Sequence, residues 1–126
     1  MQNIFINFIK NFINKQQNTR LSKMNSGQIL VAEDDNFSQM VVKMLISSLK
    51  KDAVIAADGD IAIRTFKEKQ GNFSLVLLDL HMPKVDGFEA AQKIREAERA
   101  MGLYRIKMFG LSAGNESCRY NVLTYG

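Results

Sequence analysis

The chain has no tryptophan and only one proline, one cysteine and one histidine in 126 residues. A single cysteine excludes an internal disulfide, and with it the small disulfide-framed secreted scaffolds. Cys118 is therefore read as a small apolar residue without an assigned role. No His or Cys cluster exists to build a zinc centre, so any metal must be held by hard oxygen ligands. No apolar run approaches the roughly 20 residues that cross a bilayer, and no continuous hydrophobic stretch followed by a cleavage site marks a secretory signal. Acidic residues are also missing from residues 1–28, which carry Lys10, Lys15, Arg20 and Lys23. Those bases account for the whole net charge of +4, and the rest of the chain is neutral. A basic stripe for nucleic acid is thus absent from the body of the protein.

What is present is the composition of one globular domain, with 46% hydrophobic and 24% charged residues. In residues 1–14, helical spacing gathers Ile4, Phe5, Phe8, Ile9, Phe12 and Ile13 on one face and Asn3, Asn7, Lys10, Asn11 and Asn14 on the other. This segment is read as the end of an interdomain helix or a leader; membrane-surface anchoring, dimerisation and a weak transit peptide are the alternatives. Residues 15–28 follow as a polar linker, so the expected division is a basic leader and linker over 1–28 and one domain over 29–126.

From Gln28 the pattern alternates strand and helix. Strands are expected at 28–32, 53–57, 73–78 and 106–111. The first helix starts at a cap on Asp35 or Asn36 and is expected to bury Phe37, Met40, Val41, Met44, Leu45 and Ser48. A second helix follows the Asp58-Gly59 turn to about Lys69; a third runs from about Phe88 to Met101, with Gly102 at its C-cap. A last helix is expected from Asn115 to the Asn121–Gly126 ending. Strands that are apolar throughout belong to a parallel sheet covered on both faces. The expected fold is therefore an α/β doubly wound parallel sheet, in which ligands bind beyond the carboxyl ends of the strands.

Three of those ends carry oxygen groups: Glu33 and Asp34 after the first strand, Asp79 after the third and Ser112 after the fourth. Carboxylates gathered in one pocket repel, and protonation or a divalent cation relieves the repulsion. Oxygen ligands alone favour Mg²⁺ or Mn²⁺. A carboxylate beside such a cation is a competent nucleophile toward phosphorus, and Asp79, at the end of a buried strand, is the best-placed one. Pro83 removes a donor and fixes the backbone just downstream.

The residues Ile29–Asp34 (ILVAED), Phe37–Val42 (FSQMVV), Leu77–Gly87 (LLDLHMPKVDG) and Gly110–Ala113 (GLSA) resemble the receiver domain of two-component response regulators, most of all receivers of hybrid sensor histidine kinases. The resemblance implies a flavodoxin-like strand order. It further implies Glu33 and Asp34 as the acidic metal pair, Asp79 as phosphoacceptor, the backbone carbonyl of His81 as a further metal ligand, and Ser112 as the switch hydroxyl. His81, with Met82 and Pro83, is expected to modulate how water reaches the acyl phosphate. The implied cofactor is Mg²⁺ or Mn²⁺, and the implied donor is a histidine kinase or a histidine phosphotransfer protein. Localisation is expected to be cytoplasmic, with a membrane reached only through residues 1–14 or a fused sensor kinase.

Receivers carry a fifth strand ending in Lys-Pro, roughly twenty residues past the switch hydroxyl, followed by a final helix. Only 14 residues follow Ser112, and neither Lys84 nor Lys107 stands where that lysine would. The expectation is an incomplete receiver lacking the last strand and helix, with an open edge on its fourth strand. Its expected function is acceptance of a phosphoryl group on Asp79 without enzymatic turnover, the alternative being a non-switching interaction module or inert fragment. A phosphohydrolase of the haloacid-dehalogenase type would need a second Asp two residues after the nucleophile, and His81 stands there instead.

Overall fold

In the computed structural model, residues 10–11, 27–111 and 123–124 are described. Ser112, the Asn115 helix start, Cys118 and nearly all of the leader lie outside them; Lys10 and Asn11 are helical and exposed. The elements run β1 (Gln28–Ala32), α1 (Asn36–Ser48), β2 (Asp52–Ala56), α2 (Gly59–Glu68), β3 (Leu75–Asp79), α3 (Gly87–Met101), β4 (Met108–Leu111) and β5 (Leu123–Thr124).

Each of α1, α2 and α3 begins on an aspartate whose carboxylate accepts a backbone N–H of the first turn, which ends the preceding loop at a defined residue. Asp35 accepts from Ser38, Asp58 from Ile61 and Asp86 from Glu89, each at 2.8 Å. Gly102 closes α3 in the left-handed conformation at φ 66°, as its position in the sequence predicts.

The strand order is β2-β1-β3-β4-β5, with β1, β2, β3 and β4 parallel. The chain leaves β1 toward β2 on one side and reaches β3 on the other, so the crevice of the sheet opens between the carboxyl ends of β1 and β3. Strand side chains alternate between two cores. Leu30, Ala32, Val76, Leu78 and Met108 pack with α2 and α3; Ile29, Val31, Leu75, Leu77, Phe109 and Leu111 pack with α1. Burial on both faces is what the uninterrupted apolar strands require.

Three expectations need correction. First, α1 buries Val42 and Ile46, while Phe37, Met40 and Met44, expected in the core, are 68%, 53% and 64% exposed, and Ser48 is exposed as well. The helix carries two overlapping apolar stripes, and the β-branched pair fits the sheet. Second, the fourth strand begins at Met108 rather than Ile106, because the Ile106 N–H donates to the Glu98 carboxylate instead of to a strand. Third, Leu123 and Thr124, expected in a helix, form an antiparallel ladder with Gly110 and Phe109. An exposed row of N–H and C=O groups recruits an extended segment, so the edge expected to be open is partly paired.

Candidate functional site

The register carries the site. Ile29 to Ala32 pair with Leu75 to Leu78, so the next step along both strands brings Glu33 level with Asp79. Asp79 is itself paired with Leu111, the residue before Ser112. The structure therefore places Glu33, Asp34 and Asp79 together, with one carboxylate oxygen from each within 4.8 Å of the others. Ser112 lies outside the described residues.

Glu33 is the most constrained of the three. Its N–H donates to Ala56 O at 3.0 Å, and its carboxylate Oε1 accepts the Asp35 N–H at 3.1 Å. Gln39 Nε2 reaches back from α1 to the Glu33 carbonyl at 2.7 Å, a tether that sequence pattern did not single out. A polar residue one turn after the Asp35 cap was the available signal. Partial burial, together with the Asp79 and Asp34 charges, pushes the Glu33 carboxyl up from 4.5 to about 7. Asp34 is exposed, and Asp35 is the helix cap rather than a member of the cluster, as its position suggests.

Asp79 is half-buried at the end of β3, and its Oδ1 accepts the His81 N–H at 2.9 Å. The strand continues its pairing one residue further, with Leu80 N–H donating to Leu111 O at 3.0 Å, so the loop leaves from a rigid base. His81 and Pro83 are exposed at the rim. Met82, grouped with them by sequence, is buried in the α2/α3 core and anchors the loop from beneath. Gly87, the first residue of α3, is required here: a Cβ would lie 2.5 Å from the Asp79 carbonyl oxygen. The Asp86-Gly87 pair thus seats a capped helix directly against the backbone of Asp79.

The donor set consists of hard carboxylate oxygens, one of them with raised proton affinity from burial and like charge. Such a set suits a small divalent cation with octahedral oxygen preference, and among the described residues no thiol or imidazole belongs to it.

Residues 29–121 match the family profile described as the response regulator receiver domain. The chain belongs to that family. Among curated relatives, the receiver is 34% identical over 95 residues to the peroxide stress-activated histidine kinase mak3 of Schizosaccharomyces pombe, covering 75% of this chain but 4% of the kinase. It is 33% identical over 75 residues to the response regulator sskA of Aspergillus fumigatus, covering 60% of this chain and 9% of that protein. The chain therefore spans a small part of the curated relatives it matches. Among solved structures, the receiver domain of the histidine kinase CKI1 from Arabidopsis thaliana, complexed with Mg²⁺ and BeF₃⁻, superposes with TM-score 0.63 at 25% identity, covering 76% of this chain and 74% of that one. The receiver domain of Ssk1 from Saccharomyces cerevisiae, co-crystallised with the histidine phosphotransfer protein Ypd1, gives TM-score 0.63 at 27% identity, covering 71% of this chain and 66% of that one. The four parallel strands of the receiver and their flanking helices are the fold these structures share.

Proposed function

We propose that this receiver is the acceptor in a two-component phosphorelay, taking a phosphoryl group onto Asp79 with a divalent cation, Mg²⁺ by preference, held by Glu33, Asp34, Asp79 and the His81 carbonyl. The observation that carries the reading is the convergence of the three carboxylates around a strand-end aspartate. In the reaction, a carboxylate oxygen of Asp79 forms a bond to phosphorus while the P–N bond of a phosphohistidine breaks. The electron pair stays on the departing imidazole nitrogen, and an acyl phosphate remains. The protein acts as a stoichiometric acceptor.

Asp79 is aimed by β3 and by the His81 N–H on Oδ1. Glu33 is held by its backbone bond to β2 and by Gln39. When bound, the cation supplies positive charge that offsets the mutual repulsion of the carboxylates and the charge on the transferring group. Glu33, whose carboxyl is raised to about 7 by burial and like charge, would have to give up its proton to serve as a ligand.

The donor is a histidine kinase or a histidine phosphotransfer protein, and the work of the domain is cytoplasmic; the Ssk1 receiver seated on such a partner supports that class. Phe37, Met40 and Met44 give an exposed apolar stripe on α1, starting beside the acidic rim. A contiguous patch of this kind marks a protein interface. Among the described residues, no helix is long and apolar enough to cross a membrane.

The test is intact mass after incubation with Mg²⁺ and a small phosphodonor. One hydroxylamine-labile phosphoryl adduct is expected in the wild type and none in Asp79→Asn. A folded wild-type protein that gains no adduct, with or without Mg²⁺, overturns the acceptor reading and leaves an interaction module.

A further inference from the structure

The segment from Asp79 to Val85 is bounded by glycines from three separate elements. Gly87 of α3 lies against the Asp79 carbonyl, as described above. Gly110 of β4 faces Leu80, where an added Cβ would come 2.6 Å from Leu80 Cδ2. Gly59, the first residue of α2, faces Val85: a Cβ there would lie 2.6 Å from the Val85 carbonyl oxygen, 2.7 Å from its Cγ1 and 2.8 Å from its Cβ.

These contacts differ in what can give way. The obstacle at Gly110 is the far end of a flexible side chain, which can rotate. At Gly59 it is backbone as well as side chain, so adding even a methyl group must move either α2 or the loop. α2 is fixed at this end by its Asp58 cap, and Ala62, Ile63 and Phe66 are buried in the core. The loop is the softer partner: Lys84 sits at φ 67°, a conformation that side-chain-bearing residues rarely hold, and Val85 N–H closes a short turn onto Pro83 O at 2.9 Å. Gly59 itself is not among the residues with positive φ, so glycine is needed there for close approach, not for conformational freedom.

We infer that Gly59 is a positioning residue for the phosphoacceptor site: by letting α2 touch the Val85 backbone, it sets the path of residues 80–86 and with it the His81 N–H and carbonyl beside Asp79. It lies 20 positions before the acceptor, at the start of a helix, whereas Asp79 ends a strand. Its reach is mechanical, running from α2 through Val85 and the turn at Pro83 to His81, and it touches no reacting atom. This inference rests on the acceptor reading for its functional consequence but not for its structural one.

The experiment uses the full chain and Gly59→Ala. In metal-free protein, the backbone amide resonances of residues 80–82 and 84–86 are expected to shift, while far-UV circular dichroism and cooperative melting stay native. Mg²⁺ affinity, measured by following the same amides through a titration, is expected to fall about tenfold, the scale of an outer-shell positioning loss. A purely structural role would lower the melting temperature yet leave the folded protein's amide positions and Mg²⁺ affinity unchanged, and that result overturns the inference. Val85→Leu is the second variant: it presses on the same contact from the loop side without altering α2, and the amides of Leu80, His81 and Met82, away from the substituted residue, are expected to move. If Gly59→Ala does not fold, unchanged amides at Leu80, His81 and Met82 in Val85→Leu overturn the inference equally. Should the wild type bind no Mg²⁺ while the metal-free loop still shifts in the variants, the acceptor reading fails and the mechanical coupling stands.

Discussion

The two ends of this sheet treat acidic side chains in opposite ways. At the carboxyl ends of β1 and β3, Glu33, Asp34 and Asp79 face one another, and Glu33 holds its proton up to about pH 7. At the amino end of β4, Glu98 is 4% exposed, yet both its oxygens are used: Oε1 takes Arg95 Nη1 at 2.7 Å and Oε2 takes the Ile106 N–H at 2.6 Å. Deep burial alone does not mark a functional acid. The fully compensated carboxylate is an architectural joint between α3 and β4, and the clustered, uncompensated ones form the site proposed above for the cation and the phosphoryl group.

The largest effect expected from this contrast is at Glu98. Glu98→Ala removes the buried ion pair with Arg95 and the acceptor of the Ile106 N–H, a loss of about 3 kcal/mol in denaturant unfolding. A loss below about 1 kcal/mol would show that the joint is not what holds β4 to α3.

Gly87→Ala comes next, at about 2 kcal/mol, because its Cβ would collide with the Asp79 backbone. Here the chemistry should suffer beyond the stability: the folded fraction is expected to phosphorylate slowly, whereas the folded fraction of Glu98→Ala should react at the wild-type rate.

Glu33→Gln should have the reverse sign. Between pH 4.5 and about 7 the folded wild type holds a proton that the unfolded chain has lost, so raising pH through this window strips that proton and lowers stability. Glutamine carries no such penalty. Metal-free Glu33→Gln is therefore expected to be more stable than wild type at pH 8, by about 1 kcal/mol once solvent screening of a half-exposed group is allowed, with the gain fading toward pH 4.5. Chemical denaturation across that pH range checks it, and a gain that persists at low pH would remove ionisation of the partly buried Glu33 as the cause. Excess Mg²⁺ should reverse the order by stabilising only the wild type strongly.

The smallest stability effect belongs to the exposed stripe. Met40→Gln should stay within about 0.5 kcal/mol of wild type and leave phosphorylation by a small donor unchanged. It is expected to slow transfer from a phosphohistidine protein, and equal loss with both donors would place the defect in the site instead of the docking surface.

Much of the site was legible from residue order alone, since Glu33, Asp34 and Asp79 stand where apolar strands end and parallel strands end on one rim. Gln39, Glu98 and Gly59 were not legible, because each acts on a partner chosen by packing: a carbonyl six residues back ahead of the helix, a strand entry eight residues on, and a loop from another crossover. The face of α1 was misread for a related reason. Its apolar residues fill more than one stripe, and hydrophobic periodicity measures the spacing of a stripe without saying which one meets the sheet.

By itself the sequence determined the parallel α/β pattern, a first helix start at Asp35 or Asn36, a second after the Asp58-Gly59 turn, the Gly102 C-cap, and the gathering of the acidic residues, because these follow from local hydrogen bonding and the period of the chain. Tertiary structure alone decided which side of α1 faces solvent, where β4 begins, and how closely α2 may approach the loop beside Asp79. Those outcomes depend on steric fit between segments distant in sequence. Such fit is set only when the two cores close on the sheet.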